Sequence, residues 1–263
     1  MKPSRPGLLE ALGVSRARLR ELRPIAYTLL VLLLCGGGCV HAAKYQSNTS
    51  WPPSHLAFCA LTAACFTVGM EYYARWAHKE SWHNGSLWRI HVTHHSPTKG
   101  LFEANDVFGI FNMLLILPVM RWAFLADPVN LGSAGVFGFT VGVSIFGTAY
   151  MVVHDGVVHG RFWTGSLGQV DTIRRVAEAH KMHHKTAEMG APYGMFLGPH
   201  ELDAEARGVE PSPMPIALKG GLLGCAGVSM ASLLWSPMSL ALKGGLLGCA
   251  GVSMASLSLS LLL

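Results

Sequence analysis

Three stretches of about twenty residues carry almost no charge, and they limit what this chain can fold into more than any other feature. Leu56–Ala74 holds only Glu71, Val107–Ala126 holds only Arg121, and Ala134–Val153 holds no charged residue at all. A further uncharged run, Ile25–Val40, is short for a span but is extended by its flank to Ala43. Hydrocarbon offers no water to backbone N–H and C=O groups, so runs of this kind cross a bilayer as helices. The composition agrees: 51% of the chain is hydrophobic and 13% charged, against about 25% charged in a soluble domain. The expected fold is all-α, an integral membrane protein with about four transmembrane helices. Pro118 predicts a kink in the third of them.

Histidine is concentrated where two of these runs end. His78 to His95 reads HKESWHNGSLWRIHVTHH, and His154 to His184 opens with HDGVVH and closes with HKMHH. Each block is an H-x4-H pair followed by an H-x2-H-H triplet, and together they hold ten of the thirteen histidines. Neutral imidazole ligates Fe, Zn, Cu and Ni. Helical residues three and four apart share a face, so two or three of each triplet can reach one ion. Residues five apart differ by about 140° around an ideal helix. Convergence of His78 with His83, or of His154 with His159, therefore needs a helix end, a bulge or two separate metals. Ten imidazoles exceed the four ligands of a structural zinc. Two ions with four or five imidazoles each suit the count, leaving room for one or two histidines in supporting roles. The expected site is a histidine-rich helical cap on one side of the membrane, with open positions suited to redox iron and O2.

Charge bias gives an independent check. With four spans, the N-terminal segment, residues 75–106 and residues 154–208 share one side and carry six, four and six Lys/Arg; the opposite loops, 41–55 and 127–133, carry only Lys44. Basic residues mark the cytoplasmic-type side, so both histidine blocks emerge on the same face. The same pattern accounts for the net charge of +5 without invoking nucleic acid.

The chain divides into a basic segment 1–24, a membrane domain 25–208 and an apolar tail 209–263. ALKGGLLGCAGVSMASL occurs at 217–233 and again at 241–257; two copies do not make a solenoid, and no function is assigned to them. Cys35, Cys39, Cys59, Cys65, Cys225 and Cys249 all lie in apolar runs without a C-x2-C pair. They read as small buried hydrophobes, which argues against a disulfide framework and a built-in iron–sulfur cluster. A redox enzyme of this kind takes its electrons from outside.

Four histidine boxes on a four-span core resemble the fatty acid hydroxylase superfamily, and most closely the non-haem β-carotene 3-hydroxylases of plants, algae and bacteria. The text that carries the likeness is GMEYYARWAHKESWHNGSLWRIHVTHH (69–95), GLFEANDVFGIFN (100–112), FGTAYMVVHDGVVHGRF (146–162) and RRVAEAHKMHH…GAPYGMFLGPHEL (174–202). Gly160, Ser96 and Thr98 depart from the basic residues that family often carries there. The resemblance implies two non-haem irons held by His78, His83, His91, His94, His95, His154, His159, His180, His183 and His184. It implies O2 and electrons from reduced ferredoxin, used to hydroxylate C3 of β-ionone rings, converting β-carotene to β-cryptoxanthin and zeaxanthin. It also implies a plastid membrane with the metals on the stromal side, although no recognisable transit peptide stands at 1–24.

Ligating imidazoles require acceptors on their other nitrogen; Glu71, Glu103, Asn105, Asp106, Asn112 and Asp155 are the candidates. A lipophilic carotenoid entering laterally from membrane lipid would pass Trp82, Trp88, Phe102, Phe108, Phe111 and Tyr150, with Met113 and Met151 beside them. Two other readings compete. One is a hydroxylase or desaturase of the same superfamily acting on a fatty acid, sphingolipid or sterol. The other is a membrane metal transporter or metal-binding receptor, whose ligands should lie within the spans.

Overall fold

A computed structural model describes residues 51–96, 103–126, 130–185 and 190–235. The expected span Ile25–Val40, the basic segment 1–24, the second repeat copy, Phe102, Cys35, Cys39 and Cys249 lie outside the described residues.

All the regular elements among the described residues are helices, joined by turns and loops. Helix α1 (Pro53–Trp76) runs without a break into a π-helical turn, Ala77–His83. A short helix α2 (Trp88–His91) follows, then α3 (Asp106–Phe124), which continues through Pro118. Helix α4 (Leu131–Met151) opens on a capping box between Asn130 and Ser133 and passes into a second π-helical turn, Val152–Val158. Helices α5 (Asp171–Lys185) and α6 (Gly198–Ala206) are more polar, and α7 (Ile216–Trp235) is apolar again. Three continuous helices, Pro53–His83, Asp106–Phe124 and Leu131–Val158, are long and apolar enough to cross a membrane. They coincide with the three runs read from sequence.

Helices α1 and α4 form the central pair. Gly138 and Gly142, one turn apart, allow this approach: a Cβ at 138 would collide with the Cys59 carbonyl, and one at 142 would lie 2.5 Å from that of Ala63. Thr67 adds a hydrogen bond across the contact, donating to the Gly142 carbonyl at 3.3 Å. Small residues at such crossings let dispersion act between backbones where water supplies no driving force.

The first repeat copy is part of this bundle. Helix α7 packs on α1 and α4, burying Leu222 and Cys225 against Phe66, with Phe58, Tyr72 and Phe139 around them. The side chain of Leu222 fills the space a Cβ on Gly69 would need. Composition separates this segment from the membrane domain, whereas packing joins it. Cys59, Cys65 and Cys225 are free thiols, the last of them buried.

Candidate metal centre

Both histidine blocks sit at the C-terminal ends of the two central helices, so one end of the bundle receives all of them. The unbroken passage from α-helix to π-helix resolves the five-residue spacing. In a π-turn the hydrogen bond runs from residue i+5 to residue i, and His159 N–H donates to the His154 carbonyl at 3.0 Å. Asn84 N–H likewise donates to the Lys79 carbonyl at 3.0 Å. The widened turn brings a residue and its fifth successor to one side of the helix. No periodicity computed on an α-helix shows this.

The ten imidazoles form two sets of five. His78, His83, His91, His95 and His183 make one, and His94, His154, His159, His180 and His184 make the other; within each set the candidate ligand atoms lie within 4.8 Å of one another. The sets are not the two sequence blocks. In each triplet the i,i+4 pair stays with its own block, His91 with His95 and His180 with His184. The middle histidine crosses, so His94 joins the second set and His183 the first. The sets abut where the rings of His95 and His184 stack at 4.5 Å between centroids.

Protonation bears on whether these sets fit a metal. His78 Nδ1–H donates to the Tyr193 carbonyl at 2.7 Å and His91 Nδ1–H to Asn105 Oδ1 at 2.8 Å. A neutral imidazole that donates from Nδ1 has a lone pair on Nε2. Yet the Nε2 atoms of His78 and His91 face each other at 3.0 Å. His94 and His154 repeat the arrangement, donating from Nδ1 to Glu103 and Asp155 while their Nε2 atoms stand 2.9 Å apart. Lone pair opposite lone pair with no proton between is stable only around a cation. Nitrogens at about 2.1 Å from a metal are about 3.0 Å apart at right angles and about 3.4 Å apart at tetrahedral angles. The close Nε2 pairs measure 2.9–3.1 Å. Three such pairs fall in the first set and two in the second, and five imidazoles to a set exceed the four ligands of tetrahedral zinc.

Electrostatics keep these rings ready to ligate. Burial first, and then neighbouring imidazoles, hold His95 down to about 3. Burial likewise lowers His91 to about 4, opposed by its bond to Asn105, and His159 to about 4. His180, His183 and His184 are pushed down as well, again chiefly by burial. All are neutral at pH 7, the state a metal requires.

Compared with known proteins, residues 63–201 match the fatty acid hydroxylase family. The chain belongs to the fatty acid hydroxylase family. It is 48% identical over 143 residues to the chloroplastic β-carotene hydroxylase 2 of Capsicum annuum, covering 54% of this chain and 45% of that one. It is 47% identical over 136 residues to the chloroplastic β-carotene 3-hydroxylase 2 of Arabidopsis thaliana, covering 52% and 44%. With the β-carotene hydroxylase of Pantoea ananas it shares 36% over 129 residues, covering 48% and 67%. The match thus spans under half the length of these two plant relatives. No solved structure matches the chain.

In this member of the fatty acid hydroxylase family, three of the six acceptor candidates meet an imidazole directly: Glu103 meets His94, Asn105 meets His91 and Asp155 meets His154. Asp106 instead receives both terminal nitrogens of Arg161, at 2.7 and 2.6 Å, tying the start of α3 to the segment just after the second π-turn. Asn112 is exposed on α3. Glu71 accepts a backbone N–H, that of Leu197, at 2.9 Å.

Of the aromatic candidates, Trp82 stacks on Phe108 at 4.7 Å and lies 5.1 Å from His91, and Trp88 lies 5.2 Å from His83. Tyr150 lies 4.8 Å from His154, while Phe111 is exposed on α3.

Sequence reasoning missed Glu201. It is 2% exposed, and its two oxygens accept from Tyr193 N–H at 3.0 Å and Gly194 N–H at 2.8 Å. Arg75 balances its charge at 3.2 Å. The loop it grips supplies two carbonyl acceptors to the first set, Tyr193 to His78 and Gly190 to His183 at 2.8 Å. Gly194 admits the carboxylates, since a Cβ there would lie 2.5 Å from Glu201 Oε1 and 2.9 Å from Glu71 Oε1. The only signal for Glu201 in the sequence was its place in the GPHEL motif that carries the family likeness.

Proposed function

We propose that this protein is a carotenoid hydroxylase that places a hydroxyl on C3 of β-ionone rings, taking β-carotene through β-cryptoxanthin to zeaxanthin. The observation that carries the reading is the pair of five-imidazole sets at the end of an apolar bundle, in a chain whose relatives are named β-carotene hydroxylases. The ten histidines hold two irons, five to each, and reduced ferredoxin supplies the electrons. The chloroplast labels of the plant relatives support a plastid membrane, with the metals on its stromal side.

An unactivated ring methylene resists acid, base and nucleophile, so bound iron with O2 supplies the C–H cleavage. The protein's share is ligation, orientation and exclusion of water. Neutral imidazoles present their Nε2 lone pairs, while Glu103, Asn105, Asp155 and the carbonyls of Gly190 and Tyr193 fix their tautomers. The long apolar polyene arrives through lipid along the exposed apolar side chains of α3, such as Ile110, Phe111 and Leu114. Trp82 and Phe108 present flat apolar surface beside the first set, and Tyr150 does so beside the second.

The reading is tested by expressing the chain in bacteria that accumulate β-carotene and resolving the pigments chromatographically. Cryptoxanthin and zeaxanthin are expected, and His94→Ala should abolish both while leaving membrane insertion intact. Unchanged β-carotene together with hydroxylated or desaturated acyl lipids or sterols would reject the carotenoid assignment.

A further inference from the structure

Resting on the reading that each five-imidazole set holds a metal ion, we propose that the two sites are unequal, the set containing His94 and His154 binding its ion more tightly. The hydrogen bonds that orient the two sets are alike in length and differ in charge. In the second set, His94 donates to the Glu103 carboxylate at 2.7 Å and His154 to the Asp155 carboxylate at 2.8 Å. In the first set, the acceptors of His78, His91 and His183 are the Tyr193 carbonyl, the Asn105 carboxamide and the Gly190 carbonyl, at 2.7, 2.8 and 2.8 Å. A carboxylate draws the Nδ1 proton toward itself and enriches Nε2, making the imidazole a stronger donor to a cation. A neutral carbonyl does this less.

The environment preserves the difference. The Glu103 side chain is 8% exposed, so solvent and salt screen it little. Asp155 is 3.7 Å from Arg161, but that guanidinium is held in two shorter bonds by Asp106. Glu103 and Asn105 stand two residues apart on the lead-in to α3 and serve opposite sets. One short segment thus hands an anionic acceptor to one metal and a neutral acceptor to the other.

The test uses the full chain in detergent micelles, stripped by chelator and titrated with Co2+, followed by ligand-field absorption and calorimetry. Two binding steps are expected. Glu103→Gln keeps the shape and an acceptor oxygen but removes the charge; it should weaken the tighter step by about 10–100-fold and leave the other unmoved. Asn105→Asp adds a charge at constant size and should strengthen the weaker step by about tenfold. Two Co2+ ions entering wild type in a single step of equal affinity would overturn the proposal, as would a Glu103→Gln effect confined to the weaker step. Should Glu103→Gln not fold, an unchanged weaker step in Asn105→Asp overturns it alone. Pigment chemistry plays no part in this readout. Equal sites in a chain that makes zeaxanthin sink the asymmetry only, and unequal sites in a chain that leaves β-carotene unchanged sink the carotenoid assignment only.

Discussion

Glu201→Gln should loosen one metal site from beneath. Wild-type Glu201 accepts two backbone N–H groups, from Tyr193 and Gly194, and faces Arg75. The amide keeps one acceptor oxygen and turns an NH2 group toward the other N–H. One bond to a charged group is lost, at about 1.5–3 kcal/mol. Taking about 2 kcal/mol as the energy released into the loop, and 1.4 kcal/mol as a factor of ten, metal affinity falls about thirtyfold if the whole loss reaches the ligands. The loss should fall on the set containing His78 and His183, because their acceptors, the carbonyls of Tyr193 and Gly190, lie on the gripped loop. A Co2+ titration of the variant should show one step unmoved and one weakened, with β-carotene turnover reduced in parallel. Both steps at wild-type affinity would refute the loop's role, and equal weakening of both would indicate a general loss of packing instead.

Further expectations come from the same contacts. Gly194→Ala places a methyl against Glu201 and Glu71 and should reproduce the Glu201→Gln pattern, read by the same titration. Folded His91 and His159 are held to about 4, below the ordinary 6.5. At pH 7 they are neutral folded or unfolded; below 6.5 only the unfolded chain takes up protons, so metal-free stability should fall from pH 6.5 toward pH 4, by about 1.4 kcal/mol per unit for each such histidine. Circular-dichroism melting across that window checks this, and a flat profile contradicts it. Gly138→Leu drives a side chain into the Cys59 carbonyl and should part α1 from α4, seen as loss of folded protein in detergent by size exclusion. Truncation at Pro211 strips α7 from Phe66 and Gly69. It should cost both folding and hydroxylation, whereas from sequence alone, which assigns the repeats no function, deletion from Pro211 is expected to spare activity; an active truncate would show that the α7 contact is idle.

The sequence by itself determined the helical membrane class, the three spans among the described residues and the identity of every imidazole in the cluster. Hydrophobic length and residue type are properties of short segments, and no folding is needed to read them. Placement of both blocks on one side was also legible, because charge bias reports which ends share a face. Tertiary structure alone decided the pairing. His94 and His183 join the sets anchored by the opposite blocks, a crossing that spacing along one segment does not encode. The π-turns that align His78 with His83 and His154 with His159 are departures from the regular helix that periodicity assumes. Glu71 and Asp106 were visible as acids near histidines, but their partners, Leu197 and Arg161, are 126 and 55 residues away. Glu201 and α7 were hidden for the same reason. A carboxylate that grips a backbone loop and an apolar helix that completes a bundle acquire their roles only from what packs against them.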